Sequence, residues 1–312
     1  MFGVVCKTNI KRESLKSIKW SALSELLSRA VQPTVMIFLA RILSPEDFGL
    51  VAIATIIISA GQVFLEFGMG KALIQTDSDV ELYRNNALWT NVLIAFIVYT
   101  IVFFNAGLIG SFFNSPESAI IIKVLGIQFI LNSFFSSNIA FFQRELKFSI
   151  LFKVRTSASL FTAIVSLSLA ALGYGVWALV FGALIGSFIQ LCLCWIYSTW
   201  KPVFKFNKEI FFKMFNFSKW ILFEGVFAWL LAWGDSIAVG HMMSPEELGK
   251  YRIGNAIIIL ISNIVFTPII PIALSYFSRI RINKEELRNS YEKLTGLIAY
   301  IAIPIAVMMV LL

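Results

Sequence analysis

The stretch Ser44-Pro45-Glu46-Asp47-Phe48-Gly49 occurs twice in this chain, and it decides the fold. Its second copy is Ser244-Pro245-Glu246-Glu247-Leu248-Gly249, at a constant offset of 200 residues. The same offset relates Lys19-Trp20 to Lys219-Trp220. Each copy is a polar corner between long apolar runs, where Pro presets the turn and acidic residues suit the first turn of the next helix. The sequence therefore predicts a helix–corner–helix unit that is used twice, as in a duplicated architecture.

The composition around these corners is that of a membrane protein. The chain has 312 residues, of which 58% are hydrophobic and 14% charged, and its mean hydropathy is +0.82. A soluble fold cannot bury that much apolar surface. Nine apolar runs approach the roughly 20 residues that cross a bilayer: 20–40, 48–68, 87–109, 118–141, 151–171, 175–198, 218–240, 253–275 and 294–312. We predict an all-α polytopic membrane protein with about nine transmembrane helices.

The basic residues predict the orientation of these spans. Of the 26 Lys and Arg residues, 21 lie in the N-terminal segment and in alternate loops, and Arg84 is counted among the loop residues. Because cytoplasmic loops are enriched in Lys and Arg, the N-terminus should be cytoplasmic. The net charge of +8 is then explained without a nucleic-acid partner. The single histidine, His241, is expected in the loop beside the second motif copy.

The two motif copies are separated by six predicted spans, so both should face the same side of the membrane. An even number of spans makes the repeat parallel, as in transporters built from two similar halves. We predict an N-terminal lobe over residues 1–200 with helices 1–6, and a partial C-terminal lobe over 201–312 with helices 7–9. Half of the second lobe is expected to be missing, through either a fragmentary sequence or a truncated gene.

The first span carries a polar face that includes Glu25, Arg29 and Gln32. Glu25 and Arg29 are four residues apart, in the order that favours an ion pair on a helix. Charges within a span are costly, so this face should meet protein or water and is a candidate binding surface. The alternative is that Glu25 and Arg29 extend to the cytoplasmic interface.

The seventh span holds the matching position in the second lobe and carries Glu224 and Asp235. These acids are 11 residues apart, about three helical turns, and should share a face. We expect the polar faces of spans 1 and 7 to enclose a central hydrated cavity, although Asp235 can also be read as an interfacial residue. Ser59 belongs to a similar face on span 2, for which hydrogen bonding between helices is the simpler explanation.

Catalytic motifs are nearly absent from the sequence. It contains no nucleophile elbow, no phosphate-binding loop and no zinc-protease signature. Asp77-Ser78-Asp79 resembles a glycosyltransferase metal motif, but it lies in a short loop without a nucleotide-binding domain. We therefore predict a protein that is not an enzyme and that needs no cofactor and no metal.

Five stretches are specific and occur in order along the chain: Leu39–Gly49, Glu66–Gln75, Gln143–Phe148, Gly173–Val180 and Asp235–Tyr251. Taken together, they resemble those of bacterial polysaccharide flippases, in the multidrug/oligosaccharidyl-lipid/polysaccharide transporter superfamily. The likeness is greatest to the branch that serves colanic and teichuronic acid-type exopolysaccharides. Members of that family have more spans than the nine predicted here.

The resemblance implies two six-helix lobes that alternate access to a central cavity in the bacterial inner membrane. The cargo would be an undecaprenyl-diphosphate-linked oligosaccharide, moved from the cytoplasmic to the periplasmic leaflet, with membrane lipids and the polysaccharide polymerase machinery as further partners. Arg29 is the matching candidate for the diphosphate, while Glu25, Gln32, Glu224 and Asp235 would line the cavity. Whether the acids tune charge, bind sugar hydroxyls or couple to ions stays open. The alternatives are an ion-coupled multidrug or small-molecule exporter of the same superfamily and an inactive truncated fragment.

Overall fold

The described part of the chain is entirely helical between its turns and loops. The computed structural model describes residues 35–65, 70, 73, 79–204, 207–266 and 284–311, and no strand occurs among them. A helical segment, residues 35–42, leads into the first motif copy. The helices that follow are α1 (Pro45–Leu65), α2 (Val80–Phe112), α3 (Ser118–Leu125), α4 (Ile127–Arg144), α5 (Phe148–Ala171), α6 (Val176–Ile196), α7 (Lys208–Met242), α8 (Pro245–Phe266) and α9 (Lys284–Leu311).

Six segments in the described residues are long and apolar enough to cross a membrane. They are Pro45–Leu65, Val80–Phe112, Ser118–Arg144, Phe148–Ala171, Val176–Ile196 and Ser218–Met242. These segments correspond to predicted spans 2–7, and they confirm the polytopic, all-α fold class. The first predicted span lies mostly outside the described residues. Predicted spans 8 and 9 coincide with α8 and α9 where the structure describes them.

Polar side chains at two corners determine where helices begin. Asp79 accepts hydrogen bonds from the backbone N–H groups of Glu81 and Leu82, at 3.1 and 3.3 Å, and so caps α2. Asn207 caps α7 in the same way, with Glu209 N at 2.9 Å and Ile210 N at 3.2 Å. Such caps satisfy backbone donors that have no partner within the helix. The second acid of the Asp77-Ser78-Asp79 stretch therefore acts here as a helix cap.

Small residues allow α5 and α6 to pack closely against each other. A methyl group on Gly182 would overlap Ser166 Oγ, and one on Gly186 would overlap Thr162 Oγ1. The two glycines are four residues apart and lie on one face of α6. Spacing of this kind allows close helix approach within a membrane, where dispersion forces and not hydrophobic burial hold helices together.

The helix that follows the first motif copy lies at the centre of its unit. α1 contacts helices α2, α3, α4, α6 and α7. Ile53, Ala54 and Ile56 on α1 are at most 1% exposed, as is Phe129 on α4. The apolar residues that follow the motif therefore form the core around which the other helices assemble.

The described residues form two compact units that meet in the chain between Arg252 and Ile253. The first contains α1–α7 and the first turns of α8. Within the second, Arg288 and Glu292 on α9 form an exposed ion pair at 2.9 Å. The lobe boundary predicted at residues 200 and 201 stays a prediction.

Candidate functional site

The first motif copy folds as a capped helix start. The Ser44 N–H and hydroxyl both donate to Asp47 Oδ2, at 3.0 and 2.8 Å, and the Asp47 N–H donates to Ser44 Oγ at 3.2 Å. This reciprocal arrangement is a capping box, with Asp in place of the usual Glu or Gln. Pro45 takes the first helical position, where its missing N–H has no cost. The first copy therefore fixes the direction in which α1 leaves the corner.

The second copy keeps the same serine cap but uses its acids differently. Glu247 N–H donates to Ser244 Oγ at 3.3 Å, while Lys250 contacts the carboxylates of Glu246 and Glu247 at 2.9 Å each. Hydrogen bonds to Glu246 and, with a smaller effect, to Glu247 raise the pKa of the Lys250 ammonium. The partners are half-exposed, so these ion pairs add little stability. Leu50 stands at the equivalent position of the first copy, which lacks this network.

The two motif copies contact each other through their backbones. A methyl group on Gly49 would overlap the carbonyl oxygen of Pro245, and one on Gly249 would overlap the carbonyl oxygen of Pro45. Each copy therefore makes with its partner the contact that the partner makes with it, which is the signature of a local two-fold relation. We call this contact, residues 44–49 with 244–249, the motif junction, and the end of the unit where it lies the motif end.

A second contact lies further from the motif end and joins α1 to α7, the helix that precedes the second motif copy. Trp229 Nε1 on α7 donates to Ser59 Oγ on α1 at 2.9 Å. A methyl group on Gly225 would lie 3.1 Å from Val63 Cγ1, so α7 stays close to α1 towards the end of α1. Ser59 thus serves an interhelical hydrogen bond. α1, which follows the first motif copy, and α7, which precedes the second, therefore run side by side over most of a span.

The two acids predicted on span 7 both lie on α7, in different surroundings. Asp235 lies near the motif end, where Tyr251 Oη and Ser236 N–H donate to its carboxylate at 2.5 and 2.6 Å. Arg252 stands over the Trp233 ring at 4.2 Å and donates to Ser236 Oγ at 3.4 Å.

Glu224 lies about 16 Å further along α7, at 1.5 Å per residue, and its side chain is exposed. Within the apolar segment Ser218–Met242, Glu224 lies near the start and Asp235 near the end. Arg29, Glu25 and Gln32 lie outside the described residues.

Sequence reasoning missed a buried cation on α2. The charge pattern predicts Arg84 in a loop, but the structure places it in the second turn of α2 with 3% of its surface exposed. Its Nη2 donates to Asn138 Oδ1 at 2.5 Å and to Ser198 Oγ at 3.0 Å. The guanidinium lies between the rings of Phe141 and Trp200, 4.0 and 4.2 Å from their centroids. Two aromatic faces and neutral oxygens thus stabilise the charge.

Neighbours of Arg84 bind the linker, residues 197–207, which joins α6 to α7. Asn85 Oδ1 accepts from Val203 N–H at 2.9 Å, and Trp89 Nε1 donates to the Val203 carbonyl at 3.1 Å. Asn86 Oδ1 accepts from Asn207 N–H at 3.0 Å, and Asn207 itself caps α7. Val203 and Asn207 of the linker are therefore held on the first turns of α2. The run Arg84-Asn85-Asn86 at a span boundary was the available sequence signal.

We expect Asn86→Ala to expose the linker to protease. Asn86 is fully buried, and its loss leaves the Asn207 N–H without its partner. Chymotrypsin should then cleave after Phe204, an exposed residue of the linker, several-fold faster in membrane vesicles whose linker side faces the medium. Asn105→Ala is the matched control, because Asn105 bonds only the Ile101 carbonyl of its own helix among the described residues. Equal cleavage rates in the two variants would contradict this role for Asn86.

His241 joins the end of α7 to the corner after α2. It lies in the last turn of α7, so its predicted position in a loop was wrong. Its ring stacks on Phe112 at 4.3 Å between centroids, and its Nδ1 lies 2.6 Å from the Phe112 carbonyl oxygen. Asn114 Nδ2 donates to the His241 carbonyl at 3.1 Å. The described residues contain no cluster of His, Cys, Asp and Glu that could hold a metal ion.

Comparison with known proteins identifies the family. The family model described as polysaccharide biosynthesis protein matches residues 38–312. The chain belongs to this family. No protein of solved structure matches the chain.

Relatives of this family member include proteins named for surface polysaccharides. The lipopolysaccharide biosynthesis protein WzxC of Escherichia coli strain K12 is 23% identical over 303 residues, 95% of this chain and 61% of that protein. The teichuronic acid biosynthesis protein TuaB of Bacillus subtilis strain 168 is 22% identical over 306 residues, 96% of this chain and 62% of that protein. The succinoglycan biosynthesis transport protein ExoT of Rhizobium meliloti strain 1021 is 22% identical over 279 residues, 86% of this chain and 55% of that protein. The chain thus spans about three fifths of the length of these relatives.

Proposed function

We propose that this chain contributes the first lobe and part of the second lobe of a flippase for lipid-linked oligosaccharides. The single observation that carries the mechanism is the motif junction, where equivalent corners of a duplicated sequence meet about a local two-fold relation. The family match and the names of the relatives support a polysaccharide precursor as the cargo. Two similar lobes that rock against each other give alternating access to a site between them.

The chemistry of such a cargo explains why polar residues are needed within the spans. A diphosphate with attached sugars cannot cross hydrocarbon, because its charges and hydroxyls would lose their water. A hydrated cavity shields this head while the lipid tail stays in the bilayer. We assign the diphosphate to Arg29, whose planar guanidinium can bind phosphate oxygens in pairs.

The remaining candidate residues divide into two groups. Glu224 is exposed in the second turn of the apolar segment Ser218–Met242, and a carboxylate within a span is costly unless it faces water or a ligand. We therefore keep Glu224, with Glu25 and Gln32, as a cavity residue that binds sugar hydroxyls or tunes the charge. Asp235 is already bonded to Tyr251 and Ser236, so we assign it a structural role at the motif end.

We also propose where the protein lies and which molecules it meets. The distribution of Lys and Arg supports a cytoplasmic N-terminus in the bacterial inner membrane, which puts the motif end on the periplasmic side. The cargo would be an undecaprenyl-diphosphate-linked repeat unit, delivered to the polymerase machinery outside. The chain itself would make or break no covalent bond.

Deletion of the gene tests this function directly. We expect complete lipid-linked repeat units to accumulate on the cytoplasmic leaflet, and surface polysaccharide to recover when the gene is restored on a plasmid. The measurement is the leaflet distribution of the lipid-linked oligosaccharides, with a strain that lacks the polymerase as control. Incomplete units would instead point to a transferase. Unchanged polysaccharide together with increased drug sensitivity would favour a small-molecule exporter.

A further inference from the structure

Close packing of the two backbones holds the motif junction together, and the side chains of residues 44–49 and 244–249 form no hydrogen bond or ion pair across it. The first turns of α1 and α8 approach so closely that neither Gly49 nor Gly249 has room for a side chain. Leu248 beside them is fully buried, and Phe48 is 8% exposed. Close backbone approach of this kind gains dispersion energy and weak Cα–H···O contacts.

The polar groups of the motifs leave the junction free to separate. Within residues 44–49 and 244–249, all of which the structure describes, the side-chain hydrogen bonds stay inside one copy or go to Lys250 of the same helix. Two positive helix ends meet here, and the acids of both first turns offset their repulsion. Separation of the two copies would therefore break no ion pair and leave every cap intact.

We propose that Gly49 and Gly249 are positioning residues for transport, whose missing side chains let the two repeats close the motif end in each cycle. This inference rests on the proposed flippase function, and it assigns the duplicated motif its task. The serine, proline and acid of each copy build the helix start, and the glycine provides the flat surface on which the other copy closes. Transport then requires the contact both to form and to separate.

The reactivity of a buried cysteine at the motif junction tests whether Gly49 and Gly249 allow the junction to close. In a chain with its native cysteines replaced, Leu248→Cys should react slowly with a membrane-impermeant maleimide applied from the motif end. Adding Gly49→Ala or Gly249→Ala should increase that rate by about tenfold, because a methyl group forced into a tight contact typically shifts an equilibrium by that order. Gly107→Ala and Gly234→Ala are matched controls, since nothing lies within 4 Å of a methyl group at either position. Unchanged reactivity in folded Gly49→Ala and Gly249→Ala chains would overturn the proposal.

A second measurement avoids any change at the glycines. Glu46 and Glu246 are exposed, so the pair Glu46→Cys and Glu246→Cys can be joined by a short, cleavable bis-maleimide that does not let the two copies separate. Export should stop when the two copies are joined and return when the reagent is cleaved, with each single cysteine as control. Normal export by the joined chain would refute the need for separation. If the maleimide rates respond as expected but no variant or parent exports oligosaccharide, the flippase function fails while the closing contact stands.

Discussion

Arg29→Ala is expected to abolish export of lipid-linked oligosaccharide while the protein remains in the membrane. Removing one partner of a desolvated charge pair typically costs about 2 kcal/mol or more, which is a loss of more than tenfold in binding. Arg29→Lys should retain part of the activity, because Lys keeps the charge but not the planar fork. The measurement is the rate at which labelled repeat units reach the outer leaflet in cells that express only the variant.

The control for Arg29 must be a basic residue that does not face the cargo. Arg41 is exposed beside the first motif copy, and Arg41→Ala should leave export near the parental rate. Protein levels in the membrane must match among the variants. Normal export by a well-expressed Arg29→Ala protein would remove the diphosphate assignment and favour the multidrug-exporter alternative, in which a cationic cavity is not needed.

Hydropathy and motif spacing predicted most of the helices. The six described spans fall within a few residues of their predicted positions, except at the start of α2. That helix begins at Val80, seven residues before the predicted boundary at 87, because Asp79 caps it and its first turns are polar. Hydropathy detects the apolar part of a helix and not its polar turns.

The duplication predicted equivalence of the motifs but not their contact. A constant offset shows that two segments have the same local structure, whereas contact depends on how the helices around them pack. Glycine at the same place in both copies was the only available signal, and its meaning appears when Pro45 and Pro245 are found against Gly249 and Gly49.

The candidate site was harder to predict because its partners come from distant segments. Asp235 and Glu224 share a helix, yet Asp235 is bonded to Tyr251 across the second corner. Arg84 looked like an ordinary loop cation because charge usually marks the end of a span. Its burial depends on Phe141 and Trp200, which are brought to it only by the tertiary fold.

Arg84→Ala is expected to cause a large loss of stability. The change removes a buried side chain from between two rings and leaves Asn138 Oδ1 and Ser198 Oγ without their donor. The cavity and the unsatisfied acceptors together should cost about 2–5 kcal/mol in the free energy of unfolding. The melting midpoint of the detergent-solubilised protein, followed by loss of its monodisperse size-exclusion peak on heating, measures this effect.

Matched variants separate the roles of charge and stacking at Arg84. Arg155→Ala removes an exposed arginine of α5 and should change stability by less than about 0.5 kcal/mol. Arg84→Lys keeps the charge but loses the planar group that stacks on Phe141 and Trp200, so it should be only slightly better than Ala. Because Ser198 and the bound linker connect Arg84 to the start of α7, a destabilised variant should also show faster chymotrypsin cleavage after Phe204. A melting midpoint equal to that of Arg155→Ala would mean that the stacked guanidinium does not stabilise the junction of α2, α4 and the linker.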